Sequence, residues 1–184
     1  MKRAGSLHHM SSRRGSRRGT SASPEQTPKA LATALATDLV TAIRAEQYEE
    51  VDDILSKLKP GVKGRDIRAL DRIVKESQST NLIHLAIEAG NIAIVTLLVK
   101  HSAPIKVTNA KGLYPIHAAV IQFDIFRALM DHKKIDLNVQ DVIKSQTALM
   151  FSVSEMRTHV CKILIDKGCD VEKTDSSGKT ALHM

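Results

Sequence analysis

A period of 33 residues constrains this chain more than any other feature of its sequence. Laid against itself, the sequence aligns Asn81-Leu82-Ile83-His84 with Tyr114-Pro115-Ile116-His117, Thr147-Ala148-Leu149-Met150 and Thr180-Ala181-Leu182-His183, each 33 residues after the last. Gly112 and Gly178 stand two places before their tetrapeptides, and Ser79 and Ser145 fill the same place in the other two. Two periods separate Ile94-Val95-Thr96-Leu97-Leu98 from Val160-Cys161-Lys162-Ile163-Leu164, and Ser102-Ala103 from Gly168-Cys169. A period of this length means one small supersecondary unit copied along the chain. Such a unit cannot bury its own apolar faces, so the copies must stack, and about three are needed for stability.

Local chemistry says what each unit is. Asn81, Thr147 and Thr180 are residue types that cap a helix N-terminus, and Pro115 suits a first helical position, where no backbone N–H is needed. Gly112 and Gly178 supply the positive φ that closes a tight hairpin. Each unit is therefore expected to offer two short helices, each with one apolar face, followed by a hairpin.

These residues resemble the ankyrin repeat, whose signature runs Thr-Pro-Leu-His, a Val-x-x-Leu-Leu core, then Gly-Ala-Asp and a β-turn. The resemblance covers residues 79–184 directly and implies an all-α-dominated solenoid of stacked helix-turn-helix units with short β-hairpin loops. It also implies that His84, His117 and His183 are structural, bonding backbone and the neighbouring hairpin. The middle unit departs from the pattern. Tyr114 replaces the capping Thr, the stretch from His117 to Met130 is two residues short, and the hairpin through Asp136–Ser145 is two residues longer. In the third unit Met150 replaces His. The chain stops one residue after the fourth tetrapeptide, so that unit is expected not to form its helices; a fragment of a longer protein is the preferred reading, a truncated isoform the other.

Upstream of the repeat, Leu31, Leu35, Leu39 and Ile43 recur every fourth residue and predict a helix. Tyr48, Val51, Ile54, Leu55 and Leu58 predict a second, joined to the first near Glu46-Gln47 and ended by Pro60-Gly61. Val40, Ala42, Glu46, Val51 and Ile54 correspond to His84, Ala86, Gly90, Val95 and Leu98 at a spacing of 44. That is one period plus 11, so this pair looks like a divergent first unit, with a short helix over Ile67–Ser77 as the insertion. The domain reading is therefore a tail over 1–29, N-terminal helices over 30–77, and repeats over 78–184.

Charge is divided unevenly. Of 27 basic and 20 acidic residues, the first 29 positions hold seven and one, which leaves the rest with 20 and 19. A nearly neutral folded part thus follows a basic tail, which argues against a basic groove on the repeats themselves. The tail is rich in Ser, Gly, Arg and Thr with almost nothing to pack, and is expected to be disordered. Arg pairs precede Ser16 and Thr20 as in substrates of basophilic kinases, and prolines follow Ser23 and Thr27 as at proline-directed sites. Phosphate on any of the four would cancel positive charge. The segment reads equally as a localisation signal, a nucleic-acid arm or an inert terminus. No secretory signal is present and no apolar run reaches membrane-spanning length, so cytoplasmic or nuclear residence is expected, with no membrane span.

Chemistry for catalysis is not evident. Phosphate loops, nucleophile elbows and metal-type Cys/His spacings are lacking, and the repeat-phased histidines sit on units too far apart to share one ion. Cys161 and Cys169 read as small buried hydrophobes in a reducing compartment. Acids such as Glu49, Glu50, Asp52 and Asp53 read as a solvated helix face. No enzyme activity, cofactor or metal is expected.

The leading functional expectation is a protein-interaction module, part of a larger regulatory or scaffold protein, that grips a protein partner with its concave face and hairpin tips. By resemblance the tips carry specificity: Lys106, Thr108, Asn109 and Lys111; then Gln140, Asp141, Val142, Ile143 and Lys144; then Lys173, Thr174, Asp175 and Ser176. Val142 and Ile143 are unusual at a tip and are expected either to face a partner or to fold onto their own stem. Two alternatives remain: the regulatory front end of an enzyme, a channel or a transcription regulator resembling the inhibitor-of-NF-kappa-B group, and an anionic-partner binder that uses the tail on nucleic acid.

Overall fold

Helix α1 (Pro28–Arg44) opens the computed structural model, which describes residues 28–58, 66–132 and 135–184. The helix starts two residues before the expected boundary. Leu39 and Ile43 are fully buried on it, but Leu31 is 42% exposed and Ala32 and Ala36 are buried in its stead. A strict four-residue spacing drifts about 40° per step around a helix of 3.6 residues per turn, so the stripe leaves the core within three steps. Glu46, at φ 55°, turns the chain into α2 (Tyr48–Ser56), which buries Val51 and Leu55. The tail up to Thr27, with Ser16, Thr20, Ser23 and Thr27, lies outside the described residues, as does the expected Pro60-Gly61 stop.

The insertion is a helix, α3 (Ile67–Gln78). The Asp66 carboxylate accepts the Arg68 N–H at 3.0 Å to start it, and Ser79, at φ 56°, ends it. Ile67, Leu70 and Val74 are buried, and the helix packs on α1.

The stack follows: α4 (Leu82–Ala89) with α5 (Ile92–Lys100), α6 (Pro115–Ala118) with α7 (Phe123–Met130), and α8 (Ala148–Ser154) with α9 (Thr158–Asp166). In one layer α1, α4, α6 and α8 pack in series, and in the other α2 packs on α5 and α5 on α7. The last two helices of that layer, α7 and α9, meet at Phe123 and His159, whose ring centroids are 6.1 Å apart. The core runs unbroken along the seam, from Leu39 and Ile43 through Leu82, Ile94, Leu98, Phe126 and Leu129 to Leu149 and Leu164.

One of the two missing residues of the middle unit has a local explanation. Its first helix has four α residues and ends in a 3-10 turn, Ala119–Ile121. A 3-10 turn rises about 2.0 Å per residue against about 1.5 Å in an α-helix, so fewer residues span the same length. The fourth tetrapeptide forms a single 3-10 turn over Ala181–His183, with Leu182 93% exposed. Among the described residues no helix is long and apolar enough to cross a membrane.

The expected β-hairpins are reduced to their tips. Each is closed by a backbone hydrogen bond: Asn109 N–H to Leu113 O (3.0 Å), Asp141 N–H to Gln146 O (2.9 Å) and Asp175 N–H to Lys179 O (2.8 Å). An isolated antiparallel bridge joins Gln140 to Thr147, and no extended strand forms among the described residues.

Candidate partner-binding surface

One acceptor builds each tip. The side chain of Asn109 takes the N–H groups of Lys111 and Leu113, both at 3.0 Å. Asp175 takes those of Ser177 and Lys179 at 2.8 and 2.9 Å. In the longer middle hairpin Asp141 takes three, from Ile143, Lys144 and Gln146, each at 2.8 Å. Gly112 (φ 70°) and Gly178 (φ 76°) complete their turns in the left-handed region, and Ser145 (φ 54°) does the same where no glycine is available.

The tips are also joined to one another. The Val142 N–H donates to Gly112 O at 3.0 Å, and the Ser176 N–H to Lys144 O at 2.9 Å. The Gln140 amide donates to Ser145 O in its own hairpin and to Thr174 O in the next, at 2.7 and 2.8 Å. The hairpins thus form one tied row.

The phased side chains tie that row to the helices. Nε2 of His84 lies 3.3 Å from Val107 O, and Nε2 of His117 lies 3.0 Å from Gln146 O, each reaching the following hairpin. Burial holds both imidazoles below the usual histidine range, partly offset by these carbonyls. In the third unit Met150 Sδ accepts the Thr147 N–H, while Thr147 Oγ1 accepts the Met150 N–H at 3.3 Å. Asn81 does not cap its helix with its side chain. Its amide donates to Thr108 O at 3.0 Å, and the Leu82 N–H is taken at 2.8 Å by Asp71 of α3. Asp71 is buried, and desolvation raises its pKa against the opposing pull of the Leu82 N–H and Lys75.

The expected contact residues therefore separate by use. Lys106, Lys111, Val142, Ile143, Lys144, Thr174 and Ser176 are exposed; Thr108, Asn109, Gln140, Lys173 and Asp175 are half-buried. Asp141 is buried, at 4% exposure, because three backbone N–H groups surround its carboxylate, so it is a builder of the tip rather than a contact. Val142 and Ile143 are 66% and 68% exposed and do not fold onto their own stem. They lie beside the preceding tip, where a Cβ added to Gly112 would come within 3.1 Å of Val142 Cβ and 3.2 Å of Ile143 Cγ1. Cys161 is half-exposed rather than buried, with Sγ 3.0 Å from Ser152 Oγ, whereas Cys169 is buried. Sequence reasoning missed Asp71 and the basic face of α3, although Arg68, Arg72 and Lys75 recur at helical spacing.

Comparison with known proteins agrees with this geometry. The family described as Ankyrin repeats (3 copies) matches residues 39–141 and 122–184. The chain belongs to the ankyrin-repeat family. Over 148 residues it is 30% identical to the nuclear factor NF-kappa-B p105 subunit of Gallus gallus, covering 78% of this chain and 14% of that protein. It is 31% identical over 123 residues to ankyrin repeat protein nuc-2 of Neurospora crassa, covering 65% and 11%. A probable serine/threonine-protein kinase of Dictyostelium discoideum is 24% identical over 145 residues, covering 78% and 11%. The chain spans a small part of the length of each of these relatives. Ankyrin repeats are in general protein-interaction modules, and the first match begins at Leu39, within α1.

Proposed function

We propose that this ankyrin stack is a non-catalytic module that binds a protein partner along its row of hairpin tips. The observation that carries the reading is the pair Val142 and Ile143, two β-branched apolar side chains held out in solvent on a tip that Asp141 makes rigid. Apolar side chains on a preorganised tip gain by being covered, and little ordering entropy opposes their binding. Lys111 and Lys144 flank them and Ser176 continues the row. The reading places the module within a larger regulatory or scaffold protein, which the small share of each relative that it matches supports, and takes the cytoplasm or nucleus as its location.

The test is affinity capture from cells that express the tagged full chain, compared across two variants. Replacing Val142, Ile143 and Lys144 by Ser should abolish capture of the proteins bound by the wild type. Replacing Glu49, Glu50 and Asp53 on α2 by Ser should leave them bound. The opposite pattern would move the binding face to the outer helices. Capture that survives both variants but vanishes steeply with salt would favour nucleic acid held by the tail.

A further inference from the structure

Hairpin stacking is broken at one place. The tips at Asp141 and Asp175 each donate a backbone N–H to the tip before them, but before the Asn109 tip stands helix α3 instead of a hairpin. Among the described residues no hydrogen bond joins that tip to α3. A helix cannot continue a main-chain ladder, because its own N–H and C=O groups are already paired along its axis. The result is a cleft of about 600 Å³ between α3 and the segment Ser102–Val107.

Four cations line it. Arg68, Arg72 and Lys75 form one stripe of α3, since positions four and three apart share a helix face. Lys106 faces them from the hairpin side. All four are exposed, and among the described residues none is in an ion pair; the pair that forms there is Lys57 with Asp53, at the end of α2. Among the described residues Asp71 is the one carboxylate lining the cleft, and its Oδ1 is engaged by the Leu82 N–H. Between the charges lie Pro104, Ile105 and Val107, half-buried and apolar.

We infer that this cleft takes an acidic, extended segment of a partner protein. The inference rests on the reading of the chain as a protein-interaction module but uses a different surface from the tips. Arg68 to Lys75 spans about 10 Å along the helix axis. Same-face side chains of an extended peptide recur every ~7 Å, so two or three alternate carboxylates match the stripe within the reach of Arg and Lys side chains. Guanidinium groups grip carboxylates through paired N–H donors. A strand also has alternate side chains on its other face, and Pro104, Ile105 and Val107 offer those an apolar wall. Nucleic acid fits less well, because the described lining offers successive bases a single ring, the His132 imidazole, and no Phe, Tyr or Trp to stack on.

The experiment measures binding of a fluorescent peptide of alternating Glu and Thr to the full chain by anisotropy. A Gln-Thr peptide and a short single-stranded oligothymidylate serve as comparisons. Arg68→Glu/Arg72→Glu/Lys75→Glu should weaken the Glu-Thr peptide by tenfold or more, on the order expected for reversing a docking field. Arg157→Glu/Lys162→Glu/Lys167→Glu, at exposed positions on and beside α9, changes the net charge equally and should leave the affinity within about twofold, so it isolates the cleft from the general field of the molecule and its tail. Because Glu at 75 would stand near buried Asp71, the neutral triple Arg68→Gln/Arg72→Gln/Lys75→Gln is the second variant, with folding checked by circular dichroism; it should also lose most of the binding. Equal loss in the two charge-reversed variants, equal binding of the Gln-Thr peptide, or tighter cleft-dependent binding of the oligonucleotide would each overturn the proposal. A cleft that fails while Val142, Ile143 and Lys144 still govern capture rejects this inference alone.

Discussion

The histidine of the tetrapeptide is held at one ring nitrogen or the other according to the residue three places before it. In the last unit Thr180 Oγ1 lies 2.8 Å from Nδ1 of His183. Where that place holds Asn81 or Tyr114, no protein group among the described residues bonds Nδ1 of His84 or His117, and each is held through Nε2 to a carbonyl. Both of these rings are buried and neutral at pH 7, with folded pKa values below the ordinary 6.5. The unfolded chain therefore binds protons first as pH falls, and stability present above about 6.5 is lost as pH drops through the lower folded values. Urea midpoints are expected to fall from pH 7.5 to 5.5, and replacing both histidines by Gln should flatten that slope. Asp141 has a different duty and a different test. Asp141→Ala leaves three N–H groups of one tip without their acceptor and is expected to cost about 1–3 kcal/mol. Asp141→Asn should cost less, since an amide oxygen can still accept two of them, as Asn109 does in the preceding hairpin. A chemical-denaturation series that ranks the two alike would mean that the tip relaxes without its acceptor.

Among the elements, the hairpins and α3 show what could be read from the chain and what could not. Gly112, Gly178, Ser79 and Ser145 share one phase of the repeat, and all four take positive φ. That was legible because a left-handed turn is a local demand that repeats with the period. The burial of Asp141 was not, because an acid at a tip looks solvated until the backbone around it is placed. Nor was Asp71, which caps a helix 11 residues on in sequence and on another element; pairing across elements leaves no periodic trace. Leu31 was misread for a simpler reason, the drift of a fourfold spacing around a 3.6-fold helix. The glycines give a sharp comparison between neighbouring elements. Gly90 and Gly112 are both left-handed, at φ 76° and 70°, but a Cβ meets nothing within 4 Å at the first and the Val142 side chain at 3.1 Å at the second. Gly90→Ala is expected to cost about 1–2 kcal/mol from backbone strain alone. Gly112→Ala should cost that and also push the middle tip away, seen as faster proteolysis within residues 140–146. Equal melting and proteolysis in the two variants would show that Val142 and Ile143 swing clear freely.

For the whole molecule, stability is distributed along the stack because each unit touches only its neighbours. The units around α4 and α5 have packed helices on both sides, with Leu82, Ile83, Ile94, Val95 and Leu98 all fully buried. In α9 Val160 and Leu164 are buried, and Ile165, Val171 and Leu182 beyond them are exposed. Amide hydrogen exchange is expected to be slowest over residues 82–100 and to quicken steadily through 158–184. Equal protection of the two stretches would require some contact covering the last unit in solution. The tied row of tips has a separate consequence for how such a molecule changes over generations. Two of the bonds that join tip to tip, Val142 to Gly112 and Ser176 to Lys144, run main chain to main chain, and the third comes from the side chain of Gln140. Side chains at residues 110–111, 142–144 and 176–177 hold none of the turn together, provided that proline does not remove a needed N–H. Substitution there can rewrite what the surface recognises while Asn109, Asp141 and Asp175 keep the turns intact. Affinity and foldability are thus written in different residues, and selection can act on one without disturbing the other.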